Sequence, residues 1–368
     1  MICPHCRASL LGKERTGGVC SRCGRAFALD PKVNGRGMHD ARIRRVARSA
    51  TDGGRRRVTL TQLGYLARTA NTSWTAVPPR GRPQWIARFV GVVLVIGLVV
   101  LAAFVHRLAL GGLIWFAGAC AAALLYAVAK GDPYRPGHPA GSSLTPEPGS
   151  FRAMMCGRWV EVYGSLPPGI VDDRQYRETP AGTDRDTGGG PAAEAVELLC
   201  PDHAVRVFVE INGLADGLDL ALAAGLEDLS ATGPVVVLHD ASARGLQLVA
   251  DVRANHPGRV VVDAGLPVRA VLGNDKAVRL YKEPPADVRW GEADWLRELT
   301  RVAAAEAAWL VKGWESPLAA VPPALLESAI VRAVQEARST TDRERRDAAE
   351  VGFMSWPQPA EPAPNDGS

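Results

Sequence analysis

Neither a Walker-type phosphate loop, nor a Rossmann glycine fingerprint, nor a G-x-S-x-G elbow occurs in the 368 residues. The common backbone cradles for nucleotide phosphates and the usual turn for a serine nucleophile are therefore missing. His203, His239 and His256 have no visible nucleophile partner and read as surface or turn histidines. No cleavable signal is expected, because the N-terminus opens on cysteines and polar residues. The longest shortage is of charge: from Ile86 to Ala129 only Arg88, His106 and Arg107 are able to hold any.

A hydrocarbon core about 30 Å thick takes about 20 helical residues, and this apolar run is about twice that. With His106 and Arg107 at its middle, the stretch 85–130 predicts a two-helix transmembrane hairpin, 86–105 and 108–129, in preference to a buried soluble pair. Gly118 and Ala122 have the small-xxx-small spacing that suits close helix approach. The formal net charge is only +4, yet thirteen Lys and Arg stand between Pro31 and Arg88 against Asp40 and Asp52. Positive flanks stay on the cytoplasmic side, so the expected location is the cell membrane, with two spans and both termini cytoplasmic.

Cys3 and Cys6 form one C-x-x-C pair, and Cys20 and Cys23 a second. Two such pairs at short separation place four thiolates tetrahedrally around Zn²⁺. Gly24 suits the tight turn behind the second pair. Residues 1–30 are too few to bury a useful core, so metal ligation would supply their folding energy. A pair of disulfides is the alternative, disfavoured by a cytoplasmic location. His5 and His39 read as bystanders, and Cys120, Cys156 and Cys200 as packing residues. The stretch ICPHCRASLLGKERTGGVCSRCGRAF, residues 2–27, resembles the zinc-ribbon family, whose members bind nucleic acid, bind proteins or cap a chain.

Residues 31–84 predict a basic helical juxtamembrane segment. Its first helix would be capped by His39 or Asp40, with Ile43, Val46 and Ala47 inward. A Gly turn, a short basic strand and a second helix capped by Thr61 follow, with Leu63 and Leu66 inward. The charge suits anionic lipid headgroups first and nucleic-acid phosphates second. Residues 131–150 read as a Pro, Gly and Ser linker, and 151–164 as a helix docking on the domain that follows. Residues 179–193 read as a mobile loop.

Residues 151–338 predict a cytoplasmic α/β domain. VRVFVE (205–210), PVVVLHD (234–240) and RVVVDAG (259–265) read as strands, the middle one too apolar to be wetted on either face. Residues 212–225 and 242–255 read as helices, the latter capped by Ser242. Further amphipathic helices fall at 292–311 and 323–338, and residues 339–368 read as a disordered tail. The fold class is multidomain: a small zinc ribbon, a two-helix transmembrane hairpin, and a C-terminal α/β domain with a mainly parallel sheet.

Open α/β sheets bind ligands outside the carboxyl ends of their strands, where these strands would place Glu210, Asp240 and Asp263. Three converging carboxylates would hold Mg²⁺; the alternative is that Asp240 caps the next helix and Asp263 starts a turn. VFVEINGLADGLDLALAAGL followed by VVVLHDASARG resembles a degenerate Toprim-like, Rossmann-like domain. Glu210 with Gly213 would match its acidic motif and Asp240 the first of its paired aspartates. Ser242 stands where the second aspartate belongs, which implies that two-metal chemistry has been lost. Along most of the chain, CSRCGRAFALDPK, GMHDARIRRV, VTLTQLGYLAR, VVVLHDAS and KGWESP resemble uncharacterised actinobacterial-type membrane proteins.

The expected function is a membrane-anchored scaffold or ligand sensor with structural zinc and an unidentified protein partner, leaning away from catalysis. One alternative is a tethered Mg²⁺-dependent phosphoryl-transfer or nuclease-like domain. Another is nucleic-acid binding by the ribbon. The oligomeric state stays open.

Overall fold

The computed structural model describes residues 1–35, 37–76, 97, 139–177, 195–282 and 302–350. The chain divides into two compact units, one of Met1–Thr72 with Ser142–Ser368 and one of Ser73–Gly141. The second lies mostly outside the described residues.

Two turns of the same construction open the chain. Cys3 N–H donates to Ala8 O (2.8 Å) and Arg7 N–H to Cys3 O (3.1 Å); the pattern recurs as Cys20 N–H to Arg25 O (3.0 Å) and Gly24 N–H to Cys20 O (2.9 Å). Antiparallel bridges Ile2–Ser9 and Val19–Ala26 close the two bases. The residue behind each second cysteine is left-handed: Gly24 at φ 69°, as its sequence position predicts, and Arg7 at φ 59°.

The helices that follow form one small core. α1 (Asp40–Ala50) starts where the His39 side chain accepts from Arg42 N–H. β1 (Val58–Thr59) leads into α2 (Leu60–Ala67). The cap of α2 is Thr59, not Thr61. The Thr59 hydroxyl accepts from Gln62 N–H while Gln62 Oε1 accepts from Thr59 N–H, the reciprocal box that a Thr followed three residues later by Gln favours. Thr61 Oγ1 donates to Asp173 instead.

β2 (Ala70–Trp74) and β3 (Gly141–Thr145) pair in a two-stranded sheet, so the end of the expected linker is ordered. α3 (Pro148–Met154) passes through a π turn, Met155–Trp159, into α4 (Val160–Tyr163). Phe151, Met155 and Trp159 lie on one face at helical spacing. They are buried with Ile43, Ala47, Leu63 and Ala67. This helix therefore packs on the elements before it, not on the domain after it. Leu29 and Met38 enter the same core, and β4 (Ile170–Val171) pairs parallel with β1.

The C-terminal part holds a four-stranded, wholly parallel sheet in the order β6-β5-β7-β8: β5 (Val196–Leu199), β6 (Leu220–Ala223), β7 (Val235–Val237) and β8 (Val261–Asp263). α5 (His203–Ile211) and α10 (Pro323–Glu350) cover one face, where Val205, Phe208, Ile330 and Val334 meet Val196, Leu198 and Val236. α7 (Ala243–Asn255), capped by Ser242 as predicted, covers the other through Val249 and Val252. Between these lie α6 (Leu214–Gly217), α8 (Val268–Leu272), α9 (Ala304–Val311) and the antiparallel pair β9 (Leu280–Tyr281) and β10 (Trp314–Glu315).

Several expectations are corrected here. VRVFVE is the body of α5, not a strand. Ala204 to Val209 are all buried, so the run has no period that separates strand from helix. The Asp202 carboxylate decides it by accepting from Ala204 N–H and Val205 N–H. The strand is VELL, just before it. Residues 212–225 are not one helix, because Asp219 at φ 43° turns the chain out of α6 into β6. α10 runs on to Glu350, past the expected start of the tail at 339.

The two-span membrane anchor is corrected as well. Among the described residues no helix is long and apolar enough to cross a membrane. The longest, α10, carries Glu327, Arg332, Glu336, Arg338 and Asp342 along its length. The stretches 86–105 and 108–129, Gly97 apart, lie outside the described residues, as do Cys120 and the loop 179–193. The cell-membrane location with cytoplasmic termini rested on that anchor and is withdrawn with it.

Candidate metal centre and the strand-end acids

The two N-terminal turns bring their cysteines face to face. Cys3 Sγ lies 3.8 Å from Cys23 Sγ, and Cys6 Sγ 3.8 Å from Cys20 Sγ. All four sulfurs are within 4.8 Å of one another. Thiolates about 2.3 Å from a tetrahedral Zn²⁺ stand about 3.8 Å apart, so the cluster could hold a metal ion and its spacing is compatible with zinc. The four are free thiols; a disulfide would bring two sulfurs to about 2.05 Å. Burial raises the Cys20 thiol, but backbone N–H groups of Cys23 and Arg22 outweigh it and hold the group down to about 7. Its neighbour Cys23 moves the other way: the Arg25 N–H lowers it, but burial and the three other sulfurs outweigh that and raise it to about 11.

His5 is not among the four donors, but it braces them. Its backbone N–H points at Cys3 Sγ (3.4 Å), and its Nε2 bonds Ala26 O (2.8 Å), which ties one turn to the other. The module is fastened to the helical core by Asp40, which is fully buried. Its carboxylate accepts from Ala28 N–H (2.9 Å), Leu29 N–H (2.7 Å) and the Tyr163 hydroxyl. Burial and that bond raise the Tyr163 phenol above its ordinary range.

The three acids expected at strand ends do not converge. Glu210 sits near the end of α5, which runs back from the carboxyl edge of the sheet, while Asp240 lies three residues past β7 and Asp263 ends β8. Among the described residues the four cysteines are the only group of three or more Cys, His, Asp or Glu spaced to share a metal ion. Asp263 is engaged by His239 Nε2 (3.0 Å) and Gly265 N–H (3.0 Å). Burial raises its carboxyl, but the His239 bond and charge outweigh this and hold it low.

His239, read from the sequence as a surface or turn residue, is buried. Its Nδ1 faces Asp240 O at 2.7 Å, so both ring nitrogens meet acceptors. The ring occupies a slot between two glycines. A Cβ at Gly265 would fall 2.1 Å from Nε2, and one at Gly245 2.4 Å from Nδ1. Gly245, in the first turn of α7, and Gly265, two residues past β8, are the sequence signal for that slot.

The sheet changes direction of winding between β5 and β7, the position where such folds take ligands. Asp202 and Asp240 stand there, and the segment Trp314–Ala320 is latched across it. Ala241 and Ser316 exchange both backbone hydrogen bonds at 3.0 Å, and Asp240 Oδ1 accepts from Leu318 N–H at 2.7 Å. Ser242, not Asp240, caps the next helix; Asp240 holds a closing segment. Cys200 is buried beside it and Cys156 faces Asp172, both as packing residues.

Burial, with Asp202 and Glu315 nearby, pushes Asp240 up from 3.8 to about 6. Between those values the folded chain keeps a proton that the unfolded chain has lost, so stability falls as pH rises through that window. The full cost, about 3 kcal/mol, is present above about pH 6. Asp240→Asn keeps an acceptor for Leu318 N–H without the charge. It should melt above wild type at neutral pH and equal it near pH 4 in a thermal scan. A variant that melts lower at both values would contradict this.

No family of known proteins matches the chain, and neither a curated protein nor a solved structure does. The resemblances to actinobacterial-type membrane proteins and to a Toprim-like domain are corrected accordingly. Of the zinc-ribbon likeness, what stands is the geometry of the four cysteines.

Proposed function

We propose that the protein is a non-catalytic binding protein, a ligand sensor or scaffold, in which Cys3, Cys6, Cys20 and Cys23 hold a structural Zn²⁺. The observation that carries this is the closed donor set. Four thiols at tetrahedral spacing use all four positions that zinc offers, whereas catalytic sites keep one for water or substrate. Two further facts support it. The strand-end acids are engaged in holding the fold, and the switch point of the sheet is covered by its own chain. Bound there, zinc would supply folding energy to a module whose own apolar core is little more than Leu10 and Ala8.

The test is metal analysis of the purified full-length chain, with thermal scans before and after a strong zinc chelator. One zinc per chain and a lower melting temperature after chelation are expected. A metal-free chain that melts at the same temperature with and without chelator would contradict the proposal.

A further inference from the structure

A groove of about 450 Å³ opens between the C-terminal half of α1, the turn after it and the segment following α4. Its polar wall is made by Arg44, Arg48, Thr51, Trp159, Tyr163 and Ser165, and no Asp or Glu lines it. The Arg44 guanidinium lies 4.4 Å from the centroid of the Tyr163 ring and 5.9 Å from that of Trp159. Stacking positions the cation while leaving its N–H edges open.

Most nearby acids are engaged by other arginines; Asp40, one turn before Arg44, is buried and accepts from Ala28 N–H, Leu29 N–H and the Tyr163 hydroxyl. Asp52, Glu327, Asp172 and Glu161 are paired with Arg55, Arg56, Arg152 and Arg158. Among the described residues neither the Arg44 nor the Arg48 side chain makes a hydrogen bond or an ion pair. The Trp159 indole N–H is buried without an acceptor, and the Tyr163 hydroxyl is already given to Asp40. The groove therefore presents donors and positive charge, while Leu166, Pro167 and Pro168 give it an apolar side. Its volume is in the range of small-ligand sites, about 300–1,000 Å³.

A complementary ligand brings negative charge on several acceptor oxygens, which is the chemistry of a phosphate. We propose that this groove binds a phosphate-bearing ligand of up to mononucleotide size, clamped through its oxygens by Arg44 and Arg48. A guanidinium presents two parallel N–H groups at the spacing of phosphate oxygens, and each such charge-assisted bond is among the stronger kinds. The site rests on the ligand-binding half of the proposed function and not on its metal half.

Calorimetric titration of the full-length chain with adenosine 5′-monophosphate and with inorganic pyrophosphate tests it. Both arginines are exposed, so Arg44→Gln with Arg48→Gln should fold as wild type does. Arg45→Gln removes the same kind of charge from α1 outside the groove. The double variant should weaken binding by about tenfold or more, with Arg45→Gln close to wild type. Tighter binding of the nucleotide would show that the apolar side is engaged; equal binding would point to a free polyphosphate. No heat with either probe at millimolar concentration, or an equal loss in Arg45→Gln, would overturn the site. So would binding of a single-stranded oligonucleotide alone, which would make the face a nucleic-acid surface. Zinc is measured in the same samples: a zinc-loaded chain that binds neither probe defeats the groove alone, and a zinc-free chain defeats the metal reading alone.

Discussion

A full-length chain carrying Cys20→Ser and Cys23→Ser should lose its zinc and, with it, the order of its first 27 residues. The expected loss is large because so little else holds them. Structural zinc contributes roughly 10–16 kcal/mol in isolated finger peptides, and the buried apolar contacts of the two turns amount to Leu10 packed among cysteines and Ala8, with Phe27 buried at the end of the module. Hydrogen exchange is the suitable readout, because it separates local from global opening. The amides of Arg7, Leu10, Gly24 and Phe27, hydrogen-bonded in the native turns, should exchange at the rate of unfolded chain. Those of β5 and β7 should stay protected. Retained protection in the N-terminal turns would mean that packing, not metal, orders them.

Asp40→Ala should be the most damaging single change in the helical core. It strands Ala28 N–H and Leu29 N–H around a carboxylate with no exposure, and it takes the acceptor from the half-buried Tyr163 hydroxyl. A buried donor without a partner costs about 1–3 kcal/mol, so the two buried amides should make urea unfolding show a loss of about 2–6 kcal/mol before relaxation. Asp40→Asn retains one acceptor oxygen and should recover part of that. A loss within about 1 kcal/mol would show that the metal module and helices α1 and α4 are joined by something other than this carboxylate.

The metal cluster and half of the α/β sheet were legible in the sequence for physical reasons. C-x-x-C repeats fix thiol geometry over a few residues, and the unit β7–α7–β8 is announced by an apolar run, a capping Ser242 and a closing His256. Glu210 was misplaced because a continuous apolar run carries no period. The deciding group was Asp202, three residues before the window that looked like a strand. The role of Asp240 was hidden for a different reason. Its partner is Leu318 N–H, and no local pattern reports a bond that far along the chain. Asp40 was visible as a helix-start residue, but its three donors come from the preceding loop and from Tyr163. The unpaired state of Arg44 and Arg48 could not be read from a run of basic residues, because it depends on which acids the neighbouring arginines have taken.

The most direct measurement is zinc K-edge X-ray absorption on the full-length protein as purified. Four sulfur neighbours at about 2.3 Å, with no oxygen or nitrogen in the inner shell, are predicted by the closed four-thiolate site. Fewer than four sulfurs, with the remainder made up by lighter atoms, would contradict it and would reopen a position at the metal for water or substrate.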